Sequence, residues 1–445
     1  MSESAAASHS GYFINGSPKI GLFMGTWGFF IGFASVALYG PAAHYFQQQM
    51  GLGGIALGFL VAAPQLTGSL ARIPFGTWVD KVGGKIPMLT LFGLALIGMW
   101  GLVFILVVSK HVTPAMYPLI LFFGFMCGFG VASFSVGIPQ VSYWYPQNRQ
   151  GTALGIYGGV GNLAPGIFTL ALPFAIAAFG LTGAYLIWFM IFLIGTVVYA
   201  LFAVDAPYFQ LRKEKIAPEE SVVIAKENGE ELFPKASAWE GLFTASEDTR
   251  TWGLTLLYFT SFGGFLALTA WFPSYWINLH HVTPAMAGVI GGLGFALLAA
   301  LIRVVGGVLS ERFGGEIIAL LSFILVLVAA AILTFSMNFA IDLGAEILIA
   351  LGMGIANAAV FKMLPKYVPE AVGGAAGIVG GLGATGGFIL PPFLGAVVDA
   401  MGPQGYAGGF FAYVILAAVA IVVSWIFLRY RGEIDIQAPP AADAA

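Results

Sequence analysis

Two arginines stand where arginine is costly. Arg72 follows the uncharged apolar run Gly53 to Ala71, and Arg303 follows the run Val282 to Ile302. Each run matches the roughly 20 helical residues that cross a bilayer core. An Arg inside such a helix costs about 2.5–3.5 kcal/mol or more, so it normally faces protein or a water-filled path. A guanidinium presents planar, paired donors that match a flat oxyanion, and its charge-assisted hydrogen bonds are about twice as strong as neutral ones. Two of them at equivalent places point to one anion site.

The equivalence comes from a repeat. Arg72 to Gly84 recurs in spacing 231 residues later as Arg303 to Gly315. The pairs are Arg72 with Arg303, Gly76 with Gly307, Asp80 with Glu311 and Lys81 with Arg312, and both copies end on a Gly pair. A second repeat, at an offset of 222, matches Gly155-Ile-Tyr-Gly-Gly-Val-Gly161 with Gly377-Ile-Val-Gly-Gly-Leu-Gly383, and Gly151 with Gly373. Glycines four apart let helices approach closely in lipid. The runs serve either tight packing alone or a bare backbone along a narrow path, where Asn162 adds a polar group. A third repeat, His-Val-Thr-Pro-Ala-Met at His111 and His281, falls at non-equivalent helix starts and is read as coincidence in a good N-terminus.

The elements that must hold these residues follow from composition. Hydrophobic residues make up 59% of the 445, charged residues 9%, and mean hydropathy is +0.91, against about 25% charged in soluble domains. This is an integral membrane protein that contacts the lipid bilayer. Apolar runs predict twelve spans, near 20–46, 54–79, 86–109, 115–143, 151–177, 182–203, 252–279, 284–310, 316–337, 343–367, 373–399 and 407–429. The chain then divides into a tail (1–19), a six-helix bundle (20–203), a linker (204–250), a second six-helix bundle (251–430) and a tail (431–445). The polar, charge-rich linker is expected to have little fixed structure.

Basic residues set the expected orientation. With both termini cytoplasmic, fourteen Lys and Arg fall inside against one, Lys110, outside, and Arg72, Arg303 and Lys362 lie within helices. Met1 to Pro18 lacks a basic n-region and cleavage site, so no removable signal peptide is expected. The single Cys127 excludes an intrachain disulfide and a Cys-based metal cluster. No nucleophile with a base, metal-ligand cluster or appended signalling domain is evident, so an enzyme or an anion-sensing receptor fits poorly. No cofactor, metal or nucleic-acid partner is expected, and the chain is expected to be a monomer.

Gly76-x-x-x-Asp80-Lys81-x-Gly83 between two such helices, in a chain of six plus six, resembles the major facilitator superfamily. The narrower resemblance is to its nitrate/nitrite porters. It rests on Gly158-Gly159-Val-Gly161-Asn162, on Gly380-Gly381-Leu-Gly383-Ala-Thr-Gly386-Gly387-Phe388 and on the two arginines, and spans most of residues 20–430. The resemblance implies the all-α fold of two pseudo-symmetric bundles and alternating-access transport of nitrate and nitrite. It implies that Arg72 and Arg303 clamp the anion, with Phe134, Tyr258, Phe262, Asn162 and Gly158 around it. Ser133 stands where relatives commonly carry asparagine. Tyr258 and Phe262, taken alone, suit ordinary helix packing as well.

Asp80 and Glu311 end their helices, where an acid is unfavourable unless another helix's positive end is near. The preferred reading is a latch on the cytoplasmic side, Asp80 meeting the start of helix eleven near Gly373 and Glu311 that of helix five near Gly151. A solvated loop charge is the alternative. Lys362 either snorkels to headgroups or draws anions inward. No titratable carboxylate or histidine is expected at the helix centres, since Asp342 and Glu346 fall near the outer start of helix ten and Asp399 at an end. Nitrate/nitrite antiport is therefore expected. Proton-coupled nitrate symport and carriage of another small anion, such as a carboxylate, are the alternatives.

Overall fold

The computed structural model describes residues 14–109, 111–234 and 238–437. Most of both expected tails, and Lys110, lie outside the described residues. Among those described there is no strand. Eleven helical stretches are long and apolar enough to cross a membrane, and one of them, of 56 residues, is two spans joined at Gly180. Gly180 has φ 71°, a backbone state that costs glycine nothing and ends the helix there. The spans are therefore twelve.

They are α1 (Pro18–Met50), α2 (Gly54–Val82), α3 (Lys85–Val108), α4 (Pro114–Ser142), α5 (147–179), α6 (181–202), α7 (Thr249–His280), α8 (Pro284–Phe313), α9 (Gly315–Phe335), α10 (Phe339–Tyr367), α11 (Pro369–Gly408) and α12 (Phe411–Tyr430). Large apolar side chains such as Phe23, Leu201 and Phe335 stay exposed, as a lipid-facing surface requires. The described ends of the chain and the linker share one face of the molecule, called here the linker face, where Asn15 and Gln210 exchange hydrogen bonds, and the opposite end is the far face.

On the far face the two halves are closed together by glycine contacts. A methyl group placed on Gly54 of α2 would lie 2.2 Å from the Gly395 carbonyl oxygen of α11, and one on Gly58 would lie 2.4 Å from that of Pro391. Asp399, at the far end of α11, accepts from the Gly54 and Ile55 amides at 2.5 and 2.9 Å. It thereby caps the positive N-terminus of α2 across the interface of the halves. Close contact of α5 with α8 uses Gly166 and Gly292 in the same way.

The linker departs from expectation. It forms helices at Pro207–Lys213, Pro218–Glu227 and Ala238–Glu247. Leu211, Ile216, Ile224 and Ala225 make a small core of their own. Pro at the first turn, Glu219 and Glu220 beside it and Lys226 in the last turn suit the helix dipole, so the charge run that suggested disorder is helix-favouring in its order.

Candidate functional site

Five of the spans around the site are irregular at that level. α2 breaks at Ala71, just before Arg72. α4 passes through a tight 3-10 turn at Phe129–Ala132 before Phe134. α7 widens into a π-helix over Phe259–Gly263, α5 breaks at Asn162, and α11 has a 3-10 turn at Gly383–Thr385. Such irregularities free backbone groups and mark functional positions in membrane helices. One freed carbonyl, that of Gly380, accepts from Arg72 Nη1 at 2.9 Å and ties α2 of one half to α11 of the other.

Arg72 is 3% exposed, yet its Nε and Nη2 have no hydrogen-bond partner. Its guanidinium carbon lies 4.9 Å from the Phe134 ring centre and 5.0 Å from that of Phe262. Arg303 is half-buried and stands over Phe262 at 5.8 Å and Phe361 at 6.0 Å, so Phe262 is shared by both cations. Tyr258 stacks on Phe262, centroids 4.8 Å apart at 10°, with its hydroxyl beside both guanidinia. Cation–π contact of this kind is worth about 0.5–2 kcal/mol each and cannot neutralise the charge. Among the described residues no acid forms an ion pair with either arginine. Two guanidinia thus share the Phe262 ring, and Arg72 keeps two donors without a partner.

The structure thus brings Arg72, Arg303, Phe134, Tyr258 and Phe262 together. Asn162 is buried, but its side-chain amide turns back to the Gly158 carbonyl of its own helix at 2.6 Å. Two residues were missed by sequence reasoning. Phe361 of α10 flanks Arg303 and meets Tyr258 edge-on at 4.8 Å. Tyr157 of α5 donates to the Ser133 and Phe134 carbonyls at 3.2 and 2.7 Å and so fixes the Phe134 ring. Its place inside the first glycine run, Gly155-Ile-Tyr157, was the available signal.

The Major Facilitator Superfamily pattern matches residues 25–339 and again 280–443. The chain is 30% identical to the "Probable nitrate/nitrite antiporter NarK1" of Thermus thermophilus, over 92% of this chain and 90% of that one. The chain belongs to the major facilitator superfamily, and within it to the nitrate/nitrite porters. It is also 29% identical to the "Nitrite extrusion protein" of Bacillus subtilis, over 84% of this chain and 86% of that one. Among solved structures, a D-xylose–proton symporter has a TM-score of 0.68 at 14% identity, over 93% of this chain and 97% of that one, which shows the fold alone.

In this conformation Asp80 and Glu311 do not meet the helix starts expected for a latch. Nothing lies within 4 Å of where a side chain on Gly151 or Gly373 would begin, and Glu311 is exposed. Asp80 instead accepts from the Tyr143 hydroxyl at 2.6 Å, within its own half. The physical reason is that the linker occupies the helix starts these acids were expected to meet. Glu231 accepts from the Gln147 amide at the start of α5, 2.8 Å. The helix Ala238–Glu247 packs on the start of α11, where a methyl group on Gly374 would lie 1.9 Å from the Gly241 carbonyl oxygen. Glu230, next to Glu231, is buried, accepting from the Tyr208 amide at 3.0 Å, and burial pushes its carboxyl up to about 8. Burial, then the nearby Asp80, raises the Tyr143 hydroxyl as well. Lys362 is exposed at the linker-face end of α10, in a pocket with Glu311, Arg312 and Lys366.

Proposed function

We propose that this chain exchanges nitrate for nitrite across the cytoplasmic membrane, by rocking its halves around Arg72 and Arg303. The observation that carries the reading is the buried Arg72, with two donors unused, facing Arg303 across the Phe262 ring with no acid paired to either. Two cations that share one ring and have no acid beside them repel. A bound anion offsets that repulsion, so the loaded site closes and the empty one resists closing. Such a carrier exchanges anions. The rings above and below favour a flat, weakly hydrated ion over a bulkier carboxylate.

Charge bookkeeping across the membrane supports exchange. Carrying one negative charge inward against about 100 mV costs about 2.3 kcal/mol, and one-for-one exchange moves no net charge. The relatives' printed names, antiporter and extrusion protein, agree with this direction. The excess of Lys and Arg on the linker face supports placing that face, and both termini, in the cytoplasm. Both arginines come from one chain, which makes a monomer sufficient as the transport unit. The test is anion competition in proteoliposomes holding this protein alone: nitrate and nitrite each block labelled nitrate exchange, and formate or oxalate at equal concentration does not. Equal block by formate would replace this substrate class with small carboxylates.

A further inference from the structure

The far-face half of the second bundle holds buried charge that the anion site does not use. Asp342 and Glu346 lie one turn apart on α10, and both are fully buried. Asp342 Oδ2 accepts from the Tyr275 hydroxyl at 2.9 Å and meets His280 Nε2 at 2.9 Å. Glu346 Oε2 accepts from the Trp276 indole, while Glu346 Oε1 has no partner. That free oxygen faces α8, 3.5 Å from where a side chain on Gly294 would begin. α8 is a π-helix over Ile290–Leu297, so its widest stretch lies opposite the carboxyl.

The groups around Glu346 can be counted element by element. α7 brings Tyr275 and His280, α10 brings Asp342, and α8 and α9 bring no ionisable side chain in their far-face halves. No Lys or Arg occurs in residues 251–302, 317–361 or 371–428. His280 is then the one cationic partner within reach, and Asp342 already holds it. A second ionised carboxylate here would be a buried charge without compensation, which proteins avoid by neutralising the group.

We propose that Glu346 is a proton-binding site that gates the far face: it holds a proton while that face is closed and ionises when that face opens to water. This rests on the transport reading above. The proton enters from outside solution onto the Glu346 carboxylate, past the Asp342–His280 pair at the mouth, and leaves by the same route. It returns to the side it came from, so it gates exchange without being carried. Gly294 stands nine residues before Arg303, about 13 Å along α8 at 1.5 Å per residue, so both sites ride on one helix. Closure of the far face over a bound anion takes up one proton.

The experiment is nitrate/nitrite exchange in oriented proteoliposomes at fixed internal pH while external pH is stepped. The wild type is expected to slow as external pH rises, by up to about tenfold per pH unit, the limit for one proton taken up. Glu346→Gln should keep the acid-side rate and lose the dependence, and His280→Gln should shift the midpoint. Retention of the wild-type dependence by Glu346→Gln overturns the proposal. A second readout needs no transport: infrared difference spectra at neutral pH, in a Glu230→Gln background, should show a protonated-carboxyl band that disappears in Glu346→Gln. A background protein without that band also overturns it. Exchange that is present but independent of pH fails only this inference, whereas absent exchange in the wild type fails the transport reading.

Discussion

The two glycine runs share a sequence pattern and differ in surroundings along part of their length. On α11, Gly374 lies under the linker's Gly241, Gly381 against Ile73 of α2 and Gly383 against Tyr258 of α7. On α5, Gly151, Gly155 and Gly158 have nothing within 4 Å of a first side-chain atom. Absent side chains permit close approach and do not compel it. Here Gly374, Gly381 and Gly383 of the α11 run are contacts and Gly151, Gly155 and Gly158 of the α5 run are free surface, while Gly161, packed on Phe29, and Gly373, left open, break the division. The arginines also differ: Arg72 is buried and tied to Gly380, and Arg303 is half-buried among the Phe262 and Phe361 rings and the Tyr258 hydroxyl.

The largest effect that would sharpen this comparison is at the arginines. Arg72→Lys should weaken nitrate binding about 100-fold, about 2.7 kcal/mol, because it removes both the free paired donors and the tie to Gly380. Arg303→Lys should cost less, about tenfold, by titration calorimetry. Equal losses would show that the asymmetry seen here has no energetic meaning. Next come the glycines. Gly374→Ala should destabilise the protein by about 1–3 kcal/mol through overpacking against Gly241, while Gly155→Ala leaves thermal stability within about 0.5 kcal/mol. Equal melting temperatures would break the comparison.

Smaller still is the pair of acids. Asp80→Asn weakens the hydrogen bond to Tyr143, worth about 1 kcal/mol, and should raise cysteine labelling at the linker-face mouth; Glu311→Gln should change it little. A separate, pH-dependent effect is at Glu230, whose carboxyl burial pushes up to about 8 from 4.5. A raised carboxyl favours docking of the linker in its protonated form. Docking is therefore strongest below the free value, weakens as pH rises toward about 8 and is constant above it. Limited proteolysis of the linker should accelerate across that window in the wild type and stay flat in Glu230→Gln.

The twelve spans were legible because hydropathy alone decides them, even where α5 and α6 run together at Gly180. The arginine pair was legible because a charge in an apolar run is rare. Phe361 was not, since nothing in sequence separates a ring facing the site from one facing lipid, and Tyr157 had only its place inside the glycine run to mark it. Asp399 read as an end residue, and only the approach of Gly54 to Gly395 makes it a cap. Asp342 and Glu346 do fall near the start of α10 as expected. What sequence could not show is that Tyr275, Trp276 and His280 of α7 fold over them and remove them from water. The linker contacts at the starts of α5 and α11, in place of Asp80 and Glu311, were hidden for a similar reason in a charge-rich stretch.

The central claim is obligatory anion exchange at the arginine pair. The most direct measurement is labelled nitrate uptake into proteoliposomes with and without internal nitrite, at equal pH on both sides. Uptake should be fast with internal nitrite and near background without it. Strong uptake into anion-free vesicles under an imposed proton gradient would contradict the account.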